Sequence, residues 1–181
     1  QDGNVQILLE TETINTIEID GANRKWMGTQ TSGVFLISED GTEQIHHFTE
    51  ENSPLPSNEI RDIEINDETG EVFFGTLNGI VSYKSTATEG GDYFSDVYAY
   101  PNPVRPEFDG TIAIKGLVRD SDVKITDVSG NLVYETTSYG GQATWNGRTF
   151  DGQRVKSGIY LVFASSADGS RAIVTKIAVV N

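Results

Sequence analysis

Residues 17–35 read IEIDGANRKWMGTQTSGVF, and residues 63–81 read IEINDETGEVFFGTLNGIV. Ile17 and Ile63 stand 46 positions apart, as do Gly33 and Gly79, while Gly28 and Gly75 stand 47 apart. A one-residue insertion in the first turn and a one-residue deletion in the second reconcile these offsets. Both copies keep one order: an Ile-x-Ile strand, an Asp/Asn turn, an aromatic strand ending Gly-Thr, a short turn with glycine, and another apolar strand.

Each element has a local cause. In IRDIEIN (60–66) Ile63 and Ile65 alternate with Asp62, Glu64 and Asn66, the period-two mark of a strand with one wet face. DGAN and NDETG are turn-formers that hydrogen-bond their own backbone or tolerate positive φ. NGI (78–80) reads as a type I′ hairpin turn. KWMGT and VFFGT are apolar on both faces, which suits strands sandwiched between sheets. A period of 40–50 residues made of short strands predicts β-propeller blades. Trp26, Gly28 and Thr29 in the first copy, and Phe73, Gly75 and Thr76 in the second, are therefore expected to pack blade on blade. Propellers close with roughly four to eight blades and each blade needs neighbours. Two copies, with an outer strand of a preceding blade over GNVQILLETET (3–13), predict part of a propeller, with exposed blade faces.

The remaining composition narrows function. The formal charge of −14 at neutral pH opposes tracking of nucleic-acid phosphates, so no nucleic-acid partner is expected. The absence of cysteine removes thiol catalysis, disulfides and thiolate-bound metals. No apolar run approaches the roughly 18 residues needed for a membrane span.

After residue 85 the pattern changes. Ser, Thr and Gly dominate residues 85–91, and residues 86–96 are expected to be a linker. VYAYPNPVRP follows, with three prolines in six residues, which fits an edge entry into a new domain. Then come TIAIKGL, SDVKITDV, a Ser129-Gly130-Asn131 turn, LVYETTS, QATWNG with Trp145 as core anchor, GIYLVFASS as a central strand, and SRAIVTKIAVV. Seven short strands at turn intervals of 8–12 residues predict an immunoglobulin-like sandwich over 97–181. The fold class is thus all-β: about two propeller blades over 1–85, then the sandwich.

INTIEIDGANRKWMGTQTSGVF (14–35) resembles the two-component-regulator type of propeller repeat, with Phe73 replacing the usual Trp in the second copy. Residues 97–181 resemble the C-terminal sorting domain of type IX secretion. Pro101-Asn102-Pro103 fits its opening motif, Gly130 within DVSGNLV its middle one, Gly158-Ile159-Tyr160 its G-x-Y strand, and Lys176-Ile177-Ala178-Val179-Val180 its terminal strand. WNGRTFDGQRVKSGIY is also similar to the sandwich of flagellar hook-capping proteins. Blades, ENSPLP, GIVSYKS and AYPNPVRP in that order resemble a propeller component of the type IX apparatus. That resemblance implies export through the periplasm to the outer membrane and cell surface. It also implies partners in the secretion channel and the surface sortase, a part in anionic lipopolysaccharide delivery, and a retained sorting domain. Pro101, Asn102, Pro103, Gly130, Gly158, Tyr160, Lys176, Ile177 and Val179 become the recognition candidates.

Enzyme chemistry finds no foothold in the sequence. His46 and His47 are adjacent, so in a strand they point to opposite faces and make a poor metal clip. Asp62, Glu64, Asp67, Glu68 and Glu71 are explained by an alternating strand and its turn, and their spacing is not that of an EF-hand. Asp120 and Asp122 flank a turn. No Gly-x-Ser-x-Gly elbow or phosphate-cradling loop appears. The expectation is a non-enzymatic protein without cofactor or metal. Two alternatives stand beside it: a ligand-binding sensor propeller of a hybrid two-component system, and a glycan-active cargo carrying a sorting domain.

Overall fold

The computed structural model describes residues 9–181, so the expected outer strand over 3–13 lies largely outside it. The chain divides into two compact units, Gln1–Ser85 and Thr86–Asn181, and no helix occurs among the described residues.

In the first unit β1 (Ile14–Ile19), β2 (Lys25–Thr29), β3 (Val34–Ile37) and β4 (Gln44–Phe48) form one antiparallel sheet in chain order. The strands β5 (Ile60–Asn66), β6 (Glu71–Thr76) and β7 (Gly79–Lys84) form a second. The sequence repeat is a repeat of register. Glu18 faces Trp26 as Glu64 faces Phe73, and Ile17 faces Met27 as Ile63 faces Phe74. Each sheet opens on a bulge, between Ile14 and Thr16 or between Ile60 and Asp62. One face of the first sheet packs on the opposite face of the second. Trp26, Val34 and Leu36 meet Ile60, Ile63, Val72 and Phe74 in one buried cluster. The Trp26 ring lies 5.6 Å from Phe74 and 5.8 Å from Tyr83.

Two expectations are refined here. Among the described residues Phe73 is 38% exposed rather than packed between sheets, and its neighbour Phe74 turns inward. Phe73 occupies the face of the second sheet equivalent to Trp26, and among the described residues no further sheet covers that face. The hairpin at NGI also differs. Thr76 pairs with Gly79, so Leu77 and Asn78 make the turn and Gly79 already belongs to β7. The Thr76 hydroxyl donates to the Gly79 carbonyl (2.8 Å), as Thr29 does to Gly33 (2.8 Å).

A buried ion pair ties the first hairpin. Arg24 donates to Asp20 at 2.8 Å, with side chains 6% and 1% exposed. The Asp20 carboxylate also accepts from the Trp26 indole and from the Ala22 and Arg24 amides. Arg24 reaches on to the Ser85 hydroxyl at 3.0 Å. Burying a charge pair is tolerable because these oxygens are satisfied.

In the second unit β8 (Tyr98–Tyr100), β9 (Ile112–Lys115) and β12 (Gln142–Trp145) form a three-stranded sheet in the order β12-β9-β8. The four-stranded partner has the order β11-β10-β13-β14, from β10 (Asp122–Thr126), β11 (Leu132–Thr137), β13 (Gly158–Ser165) and β14 (Ala172–Val179). Seven strands in two sheets enclose Ile112, Ile114, Val123, Ile125, Trp145 and Ile177. The strand β13 is central, flanked by β10 and β14, yet Ile159 and Phe163 on its outward face are each 42% exposed.

Residues 86–96 are no free linker. Ala87 and Thr88 are buried, Thr88 bridges Gly140, Gly91 bridges Val118, and the Ser95 amide donates to Gly116. The Arg171 guanidinium stacks 4.2 Å over the Tyr93 ring. Composition read these residues as a linker; backbone pairing with distant segments holds them as a strap.

Candidate functional site

The recognition candidates converge at one end of the four-stranded sheet. Antiparallel register sets the start of β13 beside the end of β14: Gly158 faces Val179, Tyr160 faces Ile177, and Leu161 faces Lys176. On the other side of β13, Thr126 faces Leu161, so β10 runs out toward its turn at this same end. The turn Asp127–Asn131 follows, with Gly130 at φ +86. A side chain there is strained by the backbone alone, since nothing crowds Gly130.

The opening motif joins them from across the sandwich. Asn102 stands between Pro101 and Pro103, both after cis peptide bonds. Its amide nitrogen donates to the Lys176 carbonyl (2.9 Å), and its amide oxygen accepts from the Ala178 amide (2.9 Å). One side chain thus imitates a strand partner for β14. Val104 continues the pairing: its amide donates to Ala178 and its carbonyl accepts from Val180, each at 2.8 Å. The strand β14 is a sheet edge: residues 102–104 pair with its last residues, while among the described residues no strand pairs with Ala172–Thr175 beyond β13. Edge strands left open are sites for adding another chain.

Tyr160 anchors the corner from inside. Its ring packs 5.6 Å from Trp145, and its hydroxyl donates to the Lys156 carbonyl at 2.8 Å. Burial and then the negative charge of Asp127 push its pKa upward, so it remains a neutral donor. Asp127 itself is held below the usual carboxylate range, first by the Asn131 side-chain amide and then by backbone amides of its turn. Ile177 and Val179 point into the core, fully or nearly buried, whereas Lys176 is exposed.

One clasp was not foreseen. Arg154 donates through Nε to the Asn181 side chain (3.1 Å) and through Nη2 to the Phe108 carbonyl (2.9 Å), and the Asn181 amide donates to Ser157 (2.8 Å). Arg154 lies within the WNGRTFDGQRVKSGIY stretch, but nothing in the sequence couples it to Asn181, so only tertiary placement exposes the pair.

Other sequence candidates lie elsewhere. His47 stacks on Phe35 at 3.9 Å and bonds the Ser32 carbonyl, while His46 sits beside Phe48 and Tyr83 on the opposite face. Among the described residues no group of three His, Asp or Glu side chains is placed to hold a metal ion. No helix among them is long and apolar enough to cross a membrane.

Residues 98–180 match the family of secretion system C-terminal sorting domains. Among solved structures the whole chain (100%) is similar, at 37% identity and a TM-score of 0.65, to PorZ of Porphyromonas gingivalis, a bacterial surface component of the type IX secretion system. It covers 24% of that chain, so it spans about a quarter of PorZ's length. A weaker likeness, at 14% identity and a TM-score of 0.34, is to the extracellular domain of BT4673 of B. thetaiotaomicron, covering 97% of this chain and 26% of that one. Another, at 12% identity and a TM-score of 0.31, is to that of BT3049 from the same organism, covering 96% and 46%. No curated protein matches the chain. The chain is thus similar to PorZ over its whole length, and its second unit matches secretion-system C-terminal sorting domains.

Proposed function

We propose that the protein is a non-catalytic cell-surface component of type IX secretion. Its C-terminal sandwich is an export and anchoring signal and its propeller blades are a docking surface. The observation that carries this reading is the convergence of Asn102, Gly130, Gly158, Tyr160 and Lys176 at one end of a domain matched as a sorting domain. Such a signal works by shape. The open backbone of Ala172–Thr175 offers hydrogen bonds for strand addition. Beside it, Phe163, Ala172 and Val174 line a shallow cleft of about 170 Å³ with Lys124 at its rim. The partners are the secretion channel and the surface sortase, with anionic lipopolysaccharide as a further ligand implied by the resemblance.

The test is surface exposure in cells. Deletion of Arg171–Asn181 is expected to leave the protein in the periplasm, inaccessible to antibody or added protease on intact cells. A gentler variant, Asn102→Ala, removes both bonds to β14 and should reduce surface display while the purified protein stays folded by circular dichroism. Normal display of the deletion variant would overturn the reading.

A further inference from the structure

Three segments of the second unit meet at the Arg154 guanidinium. The first is the hairpin that carries it. Arg148 and Arg154 form an antiparallel bridge, the Val155 amide donates to the Gly147 carbonyl at 3.0 Å, and the Trp145 indole donates to the Arg148 carbonyl at 2.8 Å. Trp145 and Val155 are core residues, so the base of Arg154 is fixed. The second segment is the turn after Val104. Its carbonyls at Arg105, Pro106 and Phe108 converge on Nη2 of Arg154, at 3.4, 3.4 and 2.9 Å. The third is the continuation of β14, where the Asn181 side-chain oxygen accepts from Nε at 3.1 Å.

Asn181 is tied to the same platform by its donors. Its backbone amide donates to the Ser157 hydroxyl at 2.8 Å, and its Nδ2 donates to the Val155 carbonyl at 2.6 Å. A planar fork of donors suits acceptors that arrive from several directions. Asp109 also stands 3.6 Å from Nη1, but at 78% exposure that ion pair adds little. The bonds to the carbonyls and to Asn181 therefore carry the clasp.

Placement gives the clasp its consequence. Val104 bonds Ala178 and Val180 on the outer side of β14, and β13 pairs with it on the inner side. Arg154 grips the residues that follow Val104, the residue that follows Val180, and the segment that leads into β13. Both flanks of residues 176–179 are thus set from one point. Among the described residues no strand beyond β13 flanks residues 172–175.

We infer that Arg154 is a positioning residue for the sorting corner, aligning the 104–108 segment and Asn181 about the end of β14 so that residues 176–179 keep one backbone line. This rests on the export reading above and names the group that keeps its site in shape. Holding a recognised segment in its bound form lowers the ordering cost of binding, so the loss shows in recognition before it shows in global stability.

The test compares Arg154→Ala, Asn181→Ala and the double variant, first as purified protein and then in cells. Each single variant should keep the parent's circular dichroism. Each should also speed amide exchange at Val104, Val180 and Asn181 roughly tenfold, with Val123, Lys124 and Ile125 of β10 unchanged. Both remove one shared contact, so the double variant should exchange no faster than either, whereas independent supports would multiply. In cells each should lower surface display several-fold at equal protein level. Arg154→Lys, which keeps a charge beside Asp109 but lacks the fork, should follow Arg154→Ala. Unchanged exchange in Arg154→Ala, multiplied effects in the double variant, parental behaviour of Arg154→Lys, or normal display despite faster exchange overturns the inference. So does loss of the fold in both single variants, which would make the clasp a support of the whole domain. Deletion of residues 171–181 separates the two readings. Normal display of that deletion sinks both, whereas its retention in the periplasm beside normal display of Arg154→Ala sinks the positioning role alone.

Discussion

Trp26 and Phe73 hold the same place in two copies of one sentence, and they lead opposite lives. Trp26 is completely buried between sheets; Phe73 is 38% exposed. Gly28 and Gly75 diverge likewise. A Cβ at Gly28 would stand 2.5 Å from the Ile60 side chain and 2.7 Å from Thr16, whereas at Gly75 the nearest atom is the Asp62 carbonyl oxygen at 3.6 Å. Local sequence makes the strand; the neighbouring sheet decides whether a position is packed. A repeat motif therefore carries a potential for packing that only an adjacent blade realises.

The comparison can be broken most sharply at the aromatic pair. Trp26→Ala should destabilise the first unit by about 3–5 kcal/mol, and Phe73→Ala by less than about 1 kcal/mol. Thermal unfolding followed by circular dichroism measures both, with Trp145 fluorescence reporting the second unit as an internal control. A similar loss for the two variants would show that Phe73 is packed after all.

The glycine pair comes next. Gly28→Ala must push Ile60 aside and should cost about 1–3 kcal/mol. Gly75→Ala meets only ordinary contacts and should fall within about 0.5 kcal/mol of the parent. The threonine pair then sharpens the contrast by abolishing it. Thr29→Val and Thr76→Val each remove the same hydroxyl-to-carbonyl bond in the same turn, so each should cost about 1 kcal/mol whatever lies on the sheet face.

The smallest effect concerns turns shared by both units. Ser38-Glu39-Asp40-Gly41-Thr42 and Ser166-Ala167-Asp168-Gly169-Ser170 fold alike, with glycine at positive φ and the aspartate collecting hydroxyl and amide bonds. Hydrogen bonds, led by Ser38 for Asp40 and by Ser166 for Asp168, hold both carboxyls down to about 2 from 3.8. Because the folded value is depressed, the stabilisation is present above about pH 4 and is lost as pH falls toward 2. Asp40→Asn should flatten that dependence for the first unit only, and Asp168→Asn for the second only.

What could be read from the chain, and what could not, divides along range. The Ile-x-Ile alternation, the Gly-Thr strand ends and the Asp-Gly turns are short-range features, and each lies where its residues predict. The adjacent Phe73 and Phe74 defeat a period-two reading, because either could face inward until the sheet opposite is known. Residues 85–91 are dominated by Ser, Thr and Gly, and the pairing of Thr88 with Gly140 and of Gly91 with Val118 is invisible locally. At the candidate site, Pro101-Asn102-Pro103 stands out by its prolines. That the Asn102 side chain acts as a strand partner follows only from β14, far along the chain.

That distance has a consequence for timing. The Asn102 amide meets a carbonyl 74 positions later. A nascent chain emerging from the ribosome cannot make this bond until Lys176 has been added, nor its companion until Ala178 has, so the corner closes late in translation of this domain. Products truncated before Lys176 would leave the Asn102 side chain without its strand partner.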